Sequence, residues 1–308
     1  MLNFLLDITP DKSQLLITIK LAGILREKKQ EVYYTYTSNP AFTPVLYNKG
    51  ISNCVLYPDD FRWLKPDLTL LDCRHAAHAS LYRQLAIDYI FIAMQLPNQK
   101  NIQDKDISVL YLPPTPYLSS GSGPRVESLA KRLQDIKKRQ RKNIIVGLLG
   151  KGNKNSKILE DFYRVIKRSS IRNPRYQFIL LTDIPNVYQS SELPDNMELF
   201  RTLNLNTILP LCDLALTDSH SDAWLDCTFA QIPVLKYSPK DMINITPMKL
   251  EQQIEYALQN KTTLTQKAKE LCDFFERKNR EINKIADMLI ERAGRNRYNS
   301  CRLRPHTY

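Results

Sequence analysis

The sequence has no CxxC pair and no Cys/His pair at zinc-site spacing, and its six cysteines are scattered over the chain. This distribution argues against structural zinc and against a disulfide framework.

The sequence also lacks an apolar run of the roughly 18 to 20 residues that a membrane-spanning helix needs, since the best candidate, 85–96, contains Asp88. Asp7 and Asp11 interrupt the apolar N-terminal stretch before it reaches the length of a signal-peptide core. We therefore expect a cytoplasmic protein with reduced thiols, whose membrane contacts, if any, are peripheral.

The remaining composition is that of a globular protein, with 43% hydrophobic and 25% charged residues in 308. This length accommodates two cores of ordinary size. The formal charge of +12 is unevenly placed, because residues 121–308 hold 32 Lys and Arg against 21 Asp and Glu. Such a field favours anionic partners without choosing among phosphates, acidic lipids and nucleic acid.

Short apolar runs alternate with helical patterns along the chain. Residues 3–8, 31–37 and 65–77 are typical of buried strands, and 13–29 shows helical spacing of apolar residues. A second α/β series begins at 143, after a segment rich in proline and glycine at 113–124 that we interpret as the linker. The pattern predicts an α/β fold with two Rossmann-like, doubly wound domains, 1–120 and 121–308, facing a central cleft.

The loop at 147–156 leaves a predicted strand and enters a predicted helix. Gly150 and Gly152 are two of only eight glycines in the chain, and Lys151 and Asn153 lie beside them. Glycine lets backbone N–H groups approach a phosphate, and the helix N-terminus and the lysine add positive charge. The loop is therefore a candidate phosphate site, with a flexible basic turn as the alternative.

The segment 194–242 resembles the donor-binding region of UDP-glycosyltransferases. In that family a strand leads into a Thr-His-Gly-Gly loop, a helix bearing Glu, a Val-Pro turn, another strand and a loop ending in Asp-Gln. The matching positions here are Thr217, Asp218, Ser219, His220, Ser221, Asp226, Ile232-Pro233 and Asp241-Met242. In the first half, 65–72 and the order of elements resemble the same family's acceptor domain. The resemblance covers nearly the whole chain as architecture and 194–242 as motif.

The resemblance implies a glycosyltransferase of the GT-B fold that uses a nucleotide-sugar, with UDP-sugars as the expected donors, and needs no cofactor and no metal. It implies that the loops at 150–153 and 217–221 bind the diphosphate, that Asp226 accepts from ribose hydroxyls, and that Asp241 accepts from the donor sugar. Asp218 stands where the family has its His, a role that His220 can take. Thr202 replaces the tryptophan that stacks on the base.

Two further positions are candidates for chemistry in the first domain. Asp11 is the only carboxylate in the predicted loop 9–14, which contains no His, so it is the candidate base for the acceptor hydroxyl. A helix N-cap role beside Ser13 is the alternative. His75 and His78 follow a predicted strand and have the spacing of a metal pair, but no third ligand is identifiable from the sequence, and a surface or structural role is the alternative.

The basic segments 131–142 and 295–308 carry most of the excess charge. They fit a peripheral contact with an anionic membrane or an acidic protein partner, or a solvated face. Aromatic residues are not interleaved with the basic ones as in RNA-binding segments, which argues against nucleic acid. Besides the transferase, a degenerate subunit that binds or regulates an active glycosyltransferase and a sugar-nucleotide hydrolase remain as hypotheses, and the acceptor is unknown.

Overall fold

A computed structural model describes most of the chain. The described residues are 1–8, 12–35, 54–55, 64–94, 103–104, 107–114, 124–150, 156–182, 193–219 and 222–302. They form two compact units, of which one comprises Met1–Thr115 with Phe274–Tyr308 and the other Pro116–Asp273.

The first unit contains a sheet with the strand order β3-β2-β1-β4-β5-β7-β6. Its strands are β1 (Asn3–Asp7), β2 (Glu31–Thr35), β3 (Cys54–Val55), β4 (Leu68–Asp72), β5 (Tyr89–Met94), β6 (Gln103–Asp104) and β7 (Ile107–Leu112). All neighbours pair in parallel except β6 and β7. Among the described residues up to Pro114, the helices are α1 (Lys12–Glu27) and α2 (Ala79–Gln84), with a 3-10 helix at Cys73–His78.

The second unit contains a five-stranded parallel sheet with the order β10-β9-β8-β11-β12. Its strands are β8 (Asn143–Leu149), β9 (Tyr176–Thr182), β10 (Met197–Phe200), β11 (Leu214–Asp218) and β12 (Val234–Tyr237). Its helices are α3 (Pro124–Asp135), α4 (Ser156–Arg172), α5 (Leu205–Ile208), α6 (Ala223–Phe229), α7 (Pro239–Asn244) and α8 (Pro247–Gln259). Helix α9 (Lys261–Arg280) starts in the second unit and ends in the first, and α10 (Ile282–Arg302) belongs to the first. A π-helical turn spans Ile136–Gln140, and a 3-10 helix spans Leu209–Leu211.

In both sheets the first strand of the unit is central. The next strands along the chain are added on one side of it and the later strands on the other side, which is the doubly wound order. Each sheet is covered on both faces, so apolar residues on successive positions of β8 enter two different cores: Ile145 packs on one face and Ile144 and Val146 on the other. Burial on both faces explains why the strands are continuous apolar runs rather than alternating ones. The predicted α/β class with two Rossmann-like units is confirmed.

The helical tail lies on the first sheet. Ile282, Ala286, Leu289 and Ala293 of α10 are fully buried in the same core as β1, β4 and α1. The sequence-based division at 120/121 placed the tail with the second domain, whereas the structure places it with the first. The helix of the tail breaks at Glu281. Before the break, the Asn279 carbonyl accepts from Lys20 Nζ at 3.0 Å, and after it the N–H groups of Lys284 and Ile285 donate to the Glu281 carbonyl and begin a new helix.

Among the described residues, none of the helices has both the length and the apolar character that crossing a bilayer requires.

Candidate functional site

In the second unit, the chain reverses the strand order between β8 and β11, which is where ligands bind in doubly wound sheets. Gly150 follows β8 with a φ of 103°, a conformation that residues with a Cβ rarely adopt. Its N–H donates to Asp218 Oδ2 at 3.2 Å, so the structure brings the end of β8 and the end of β11 together through a predicted site residue on each.

Asp218 is fully buried at the end of β11. A buried carboxylate is stabilised by hydrogen bonds to its charged form, and the Gly150 amide supplies one. The side chain is thus directed into the protein rather than toward solvent. This arrangement affects how an anion could bind beside the carboxyl ends of β8 and β11. The carboxylate of Asp218 is not displayed on the surface, and the Gly150 N–H already donates to it.

Thr217 and Ser219 flank this carboxylate. Thr217 is fully buried, and its Oγ1 has no hydrogen-bond partner among the described residues. Ser219 is partly exposed, and its N–H donates to the Tyr237 carbonyl at 2.8 Å, which extends the β11–β12 pairing by one residue. The backbone of Ser219 is therefore fixed by the sheet, which leaves its hydroxyl as the group that a ligand could contact.

Asp226 lies in α6, and only 9% of it is exposed. Asp241 lies in the first turn of α7 and forms a capping box: its Oδ2 accepts from the Ser238 N–H (2.9 Å) and the Ser238 hydroxyl (2.6 Å), while Ser238 Oγ accepts from the Asp241 N–H. Hydrogen bonds from the Ser238 side chain and backbone lower the pKa of the Asp241 carboxyl. Both bonds fall on Oδ2, so Asp241 has a structural role that the sequence did not predict.

A pocket of about 720 Å³ lies against β12, α7 and α8, and Asp241 is part of its wall. Three lysines contribute to the lining, and glutamine and asparagine amides face it as well. The polar residues of the wall are Lys236, Lys240, Asp241, Asn244, Lys249, Gln252 and Gln253. Except for Asp241, sequence reasoning did not identify these residues, because exposed polar positions on α7 and α8 look like ordinary helix surface.

The first unit has its own reversal of strand order, between β1 and β4. Asp7 ends β1 with 1% of its surface exposed. Its carboxylate accepts from the Tyr82 hydroxyl (2.7 Å) and the Thr35 hydroxyl (3.3 Å). His78 Nδ1 lies 2.7 Å from Asp7 Oδ2, and His75 Nδ1 lies 3.2 Å from Oδ1. Two histidines, a carboxylate and a phenol thus converge at the site expected for a ligand.

The turn after β4 explains why both imidazoles reach Asp7. Cys73–His78 consists of 3-10 turns with a kink at His75 (φ −97°, ψ 26°), and the two histidines, three residues apart, both direct Nδ1 at the Asp7 carboxylate. Asp72 starts this helix by accepting from the Arg74 N–H at 2.9 Å, and its charge is paired with the Arg74 guanidinium. The two rings are 4.7 Å apart between centroids. Sequence reasoning identified the histidines and missed Asp7, whose only sequence signal is its place at the end of a strand.

Several predicted site residues lie outside the described part of the chain. They are Asp11, Lys151, Gly152, Asn153, His220 and Ser221. Their roles remain predictions.

No family model matches this sequence, and no curated protein matches it. Solved structures do. The chain is similar to the glycotransferase of kitacinnamycin, with a TM-score of 0.67 and 12% identity over 94% of this chain and 98% of that one. It is similar to the spinosyn forosaminyltransferase SpnP, with a TM-score of 0.65 and 14% identity over 95% and 99% of the two chains. The spinosyn rhamnosyltransferase SpnG, complexed with thymidine diphosphate, matches with a TM-score of 0.65 and 11% identity over 92% of this chain and 100% of that one. The chain therefore has the fold of GT-B glycosyltransferases over nearly its full length.

Proposed function

We propose that this protein is a glycosyltransferase that moves a sugar from a nucleoside diphosphate donor to an acceptor hydroxyl. The observation that supports it most is the full-length fold match to glycosyltransferases, one of them in complex with thymidine diphosphate. The donor-type segment 194–242 runs from β10 through β12 and includes the carboxyl end of β11, beside which a nucleotide is expected in this fold. Uridine and thymidine diphosphate sugars are the first donors to test.

In this proposal the second unit binds the donor. Lys151, Gly152 and Asn153 supply charge and backbone N–H groups to the diphosphate, together with the loop that starts at Ser219 and contains His220 and Ser221. Asp226 accepts from the ribose hydroxyls. Asp241 accepts from the donor sugar through Oδ1, because its capping bonds occupy Oδ2. The acceptor oxygen attacks the anomeric carbon, its proton passes to Asp11, and the bond from that carbon to the diphosphate breaks. No step of this scheme assigns a metal to the diphosphate.

The direct test is nucleotide binding to the full chain, measured by calorimetry with UDP, dTDP, GDP and ADP. We expect saturable binding of at least one, weakened about tenfold or more in Lys151→Ala because a full positive charge beside the diphosphate is lost. Lys267→Ala is the matched control, since Lys267 is an exposed lysine of the same unit. Equal loss in both variants would indicate non-specific electrostatic binding and contradict the proposed site.

Transfer itself is tested by mass spectrometry of reactions that contain the best-binding nucleotide-sugar and a panel of hydroxyl acceptors. The transferase predicts a glycosylated acceptor together with free nucleoside diphosphate. A hydrolase releases free sugar whether or not an acceptor is present.

A second function, a degenerate subunit that binds or regulates an active glycosyltransferase, is favoured by one observation. Asp218, which stands where the family has its His, uses its carboxylate to bind the Gly150 amide. An internal carboxylate there takes up an N–H that a diphosphate would otherwise receive. Absence of any nucleotide binding at millimolar concentrations, by a chain that is folded by circular dichroism, would support the subunit over the enzyme.

We also propose a peripheral contact between the basic segment 131–142 and an anionic membrane or an acidic protein. Part of this charge is used internally, since Arg132 pairs with Glu198 and Lys137 with Asp213. Lys131, Lys138 and Arg141 are exposed. Co-sedimentation with vesicles containing phosphatidylserine, compared with neutral vesicles, tests the membrane form of this contact.

A further inference from the structure

We propose that Asp7, His75 and His78 form a binding site for a divalent transition-metal ion such as Zn²⁺. The sequence shows the two histidines without a third ligand, and the structure supplies the third from β1, some 70 residues away in the chain. This site differs from the donor site in the second unit and does not depend on the proposed function.

The first argument is convergence. Each of the three residues offers one ligand atom, and these atoms all lie within 4.8 Å of one another. Around a metal with bonds of about 2.0 to 2.2 Å, two ligand atoms lie about 3 to 4 Å apart. The distance of 3.2 Å from His75 Nδ1 to Asp7 Oδ1 lies in this range, and the distance of 2.7 Å from His78 Nδ1 to Asp7 Oδ2 is slightly shorter.

The second argument is the use of both imidazoles. A base oriented by a carboxylate needs one imidazole, as in catalytic triads. Here His75 and His78 direct the same nitrogen, Nδ1, at the two oxygens of one carboxylate. A metal ion bound to both Nδ1 atoms requires the tautomer of each neutral ring in which the single proton is on Nε2.

The third argument is the support behind the carboxylate. Ligating carboxylates are usually held by hydrogen bonds from outside the coordination sphere. The buried Tyr82 hydroxyl donates to Asp7 Oδ2 and the Thr35 hydroxyl to Oδ1. In addition, 24% of the His75 side chain and 30% of the His78 side chain are exposed, so both rings lie within reach of solvent.

The chemistry of the donor set indicates the metal. Two imidazoles and one carboxylate suit Zn²⁺, Co²⁺, Ni²⁺ or Fe²⁺ rather than Mg²⁺ or Ca²⁺, which prefer oxygen ligands alone. Three protein ligands leave at least one position for water or a substrate oxygen, as in catalytic rather than structural zinc sites.

The test is a titration of the chelator-treated full chain with Co²⁺, followed by visible absorption, and then displacement by Zn²⁺. We expect one Co²⁺ per chain with d–d absorption that Zn²⁺ removes. His75→Gln and His78→Gln should each weaken Co²⁺ binding by more than about 100-fold, since even outer-shell changes cost 10- to 100-fold. Tyr82→Phe keeps all three ligands and removes only a hydrogen bond to Asp7, so it should weaken Co²⁺ binding by about 10- to 100-fold. His306→Gln, which changes a histidine that is not one of the three proposed ligands, should bind Co²⁺ as the parent does.

Folding is checked on each metal-free variant by circular dichroism and thermal unfolding, and because both histidines are partly exposed the two glutamine variants are expected to fold. The proposal is overturned if the parent chain shows no saturable Co²⁺ absorption, or if the double variant His75→Gln/His78→Gln binds Co²⁺ as tightly as the parent. Nucleotide binding by the same samples reports separately on the donor site.

Discussion

Replacing Leu289 with alanine should destabilise the first unit selectively. Leu289 lies on α10 and is fully buried among residues of β1, β4 and α1. Leucine-to-alanine changes at such positions cost about 2 to 5 kcal/mol, because the transfer free energy of the removed methyl groups is lost and a cavity remains. The neighbouring Ala286 and Ala293 are too small to fill that cavity, so we expect a cost of about 3 kcal/mol, in the middle of this range.

The assay is amide hydrogen exchange followed by mass spectrometry, which reports on each unit by itself. Amides in core strands exchange through the largest opening of their cooperative unit. A loss of about 3 kcal/mol corresponds to exchange about 100-fold faster, since every 1.4 kcal/mol is tenfold. Peptides from β1 and β4 should show this acceleration, whereas peptides from β8 and β9 should exchange as in the parent.

Met288→Ala is the matched control, because Met288 is the preceding residue on the same helix and is 49% exposed. Changes at such surface positions stay within about 0.5 kcal/mol. If Leu289→Ala instead accelerated exchange in β8 and β9 while β1 and β4 were unaffected, the assignment of the tail to the first sheet would be refuted.

Three further changes test the second unit. Burial pushes the pKa of Asp213 upward, but hydrogen bonds from Lys261, the Ile144 N–H and Lys137 hold that pKa below its ordinary value, so the ionised carboxylate stabilises the fold. Asp213→Asn should therefore lower the urea midpoint at pH 7. It should also reduce the further loss of stability that the parent shows as the pH falls below about 4. Gly147→Ala should cost about 1 to 3 kcal/mol in urea unfolding because its Cβ meets a Leu180 methyl group inside the core, and a Leu180→Ala background should cancel part of that cost. Ser238→Ala should lower the melting temperature by removing a helix cap, whereas a threonine at that position should restore it.

The central strands of both sheets could be predicted because each is a short apolar run buried on both faces. The run at 3–8 corresponds to β1 (Asn3–Asp7), and the run at 65–77 contains β4 (Leu68–Asp72). The alternation of these runs with helical patterns is enough to predict parallel sheets, since parallel neighbours require helical crossovers.

The tail could be predicted as helix but not assigned to a core. Ile282, Ala286, Leu289 and Ala293 have helical spacing in any environment, and nothing in that spacing says which sheet receives them. Long-range polar contacts decide it, such as the pairing of Arg292 with Asp88 across 204 positions of sequence. Asp7 was missed for the same reason, because its four partners all come from elsewhere in the chain and the sequence shows only a carboxylate that interrupts an apolar run.

The Asp218–Gly150 contact separates the two functional hypotheses more sharply than any motif does. If the carboxylate takes the place of a bound phosphate oxygen, then Asp218→Asn, which keeps the acceptor oxygen but removes the charge, should strengthen binding of a nucleoside diphosphate by removing a nearby negative charge. If the carboxylate only positions the loop, binding should stay the same or weaken, because a charged acceptor holds the Gly150 N–H better than a neutral one. A subunit that has lost the site should bind no nucleotide in either the parent or the variant, so calorimetry on the parent and on this single variant distinguishes a phosphate site taken by the carboxylate, a loop that the carboxylate positions, and a lost site.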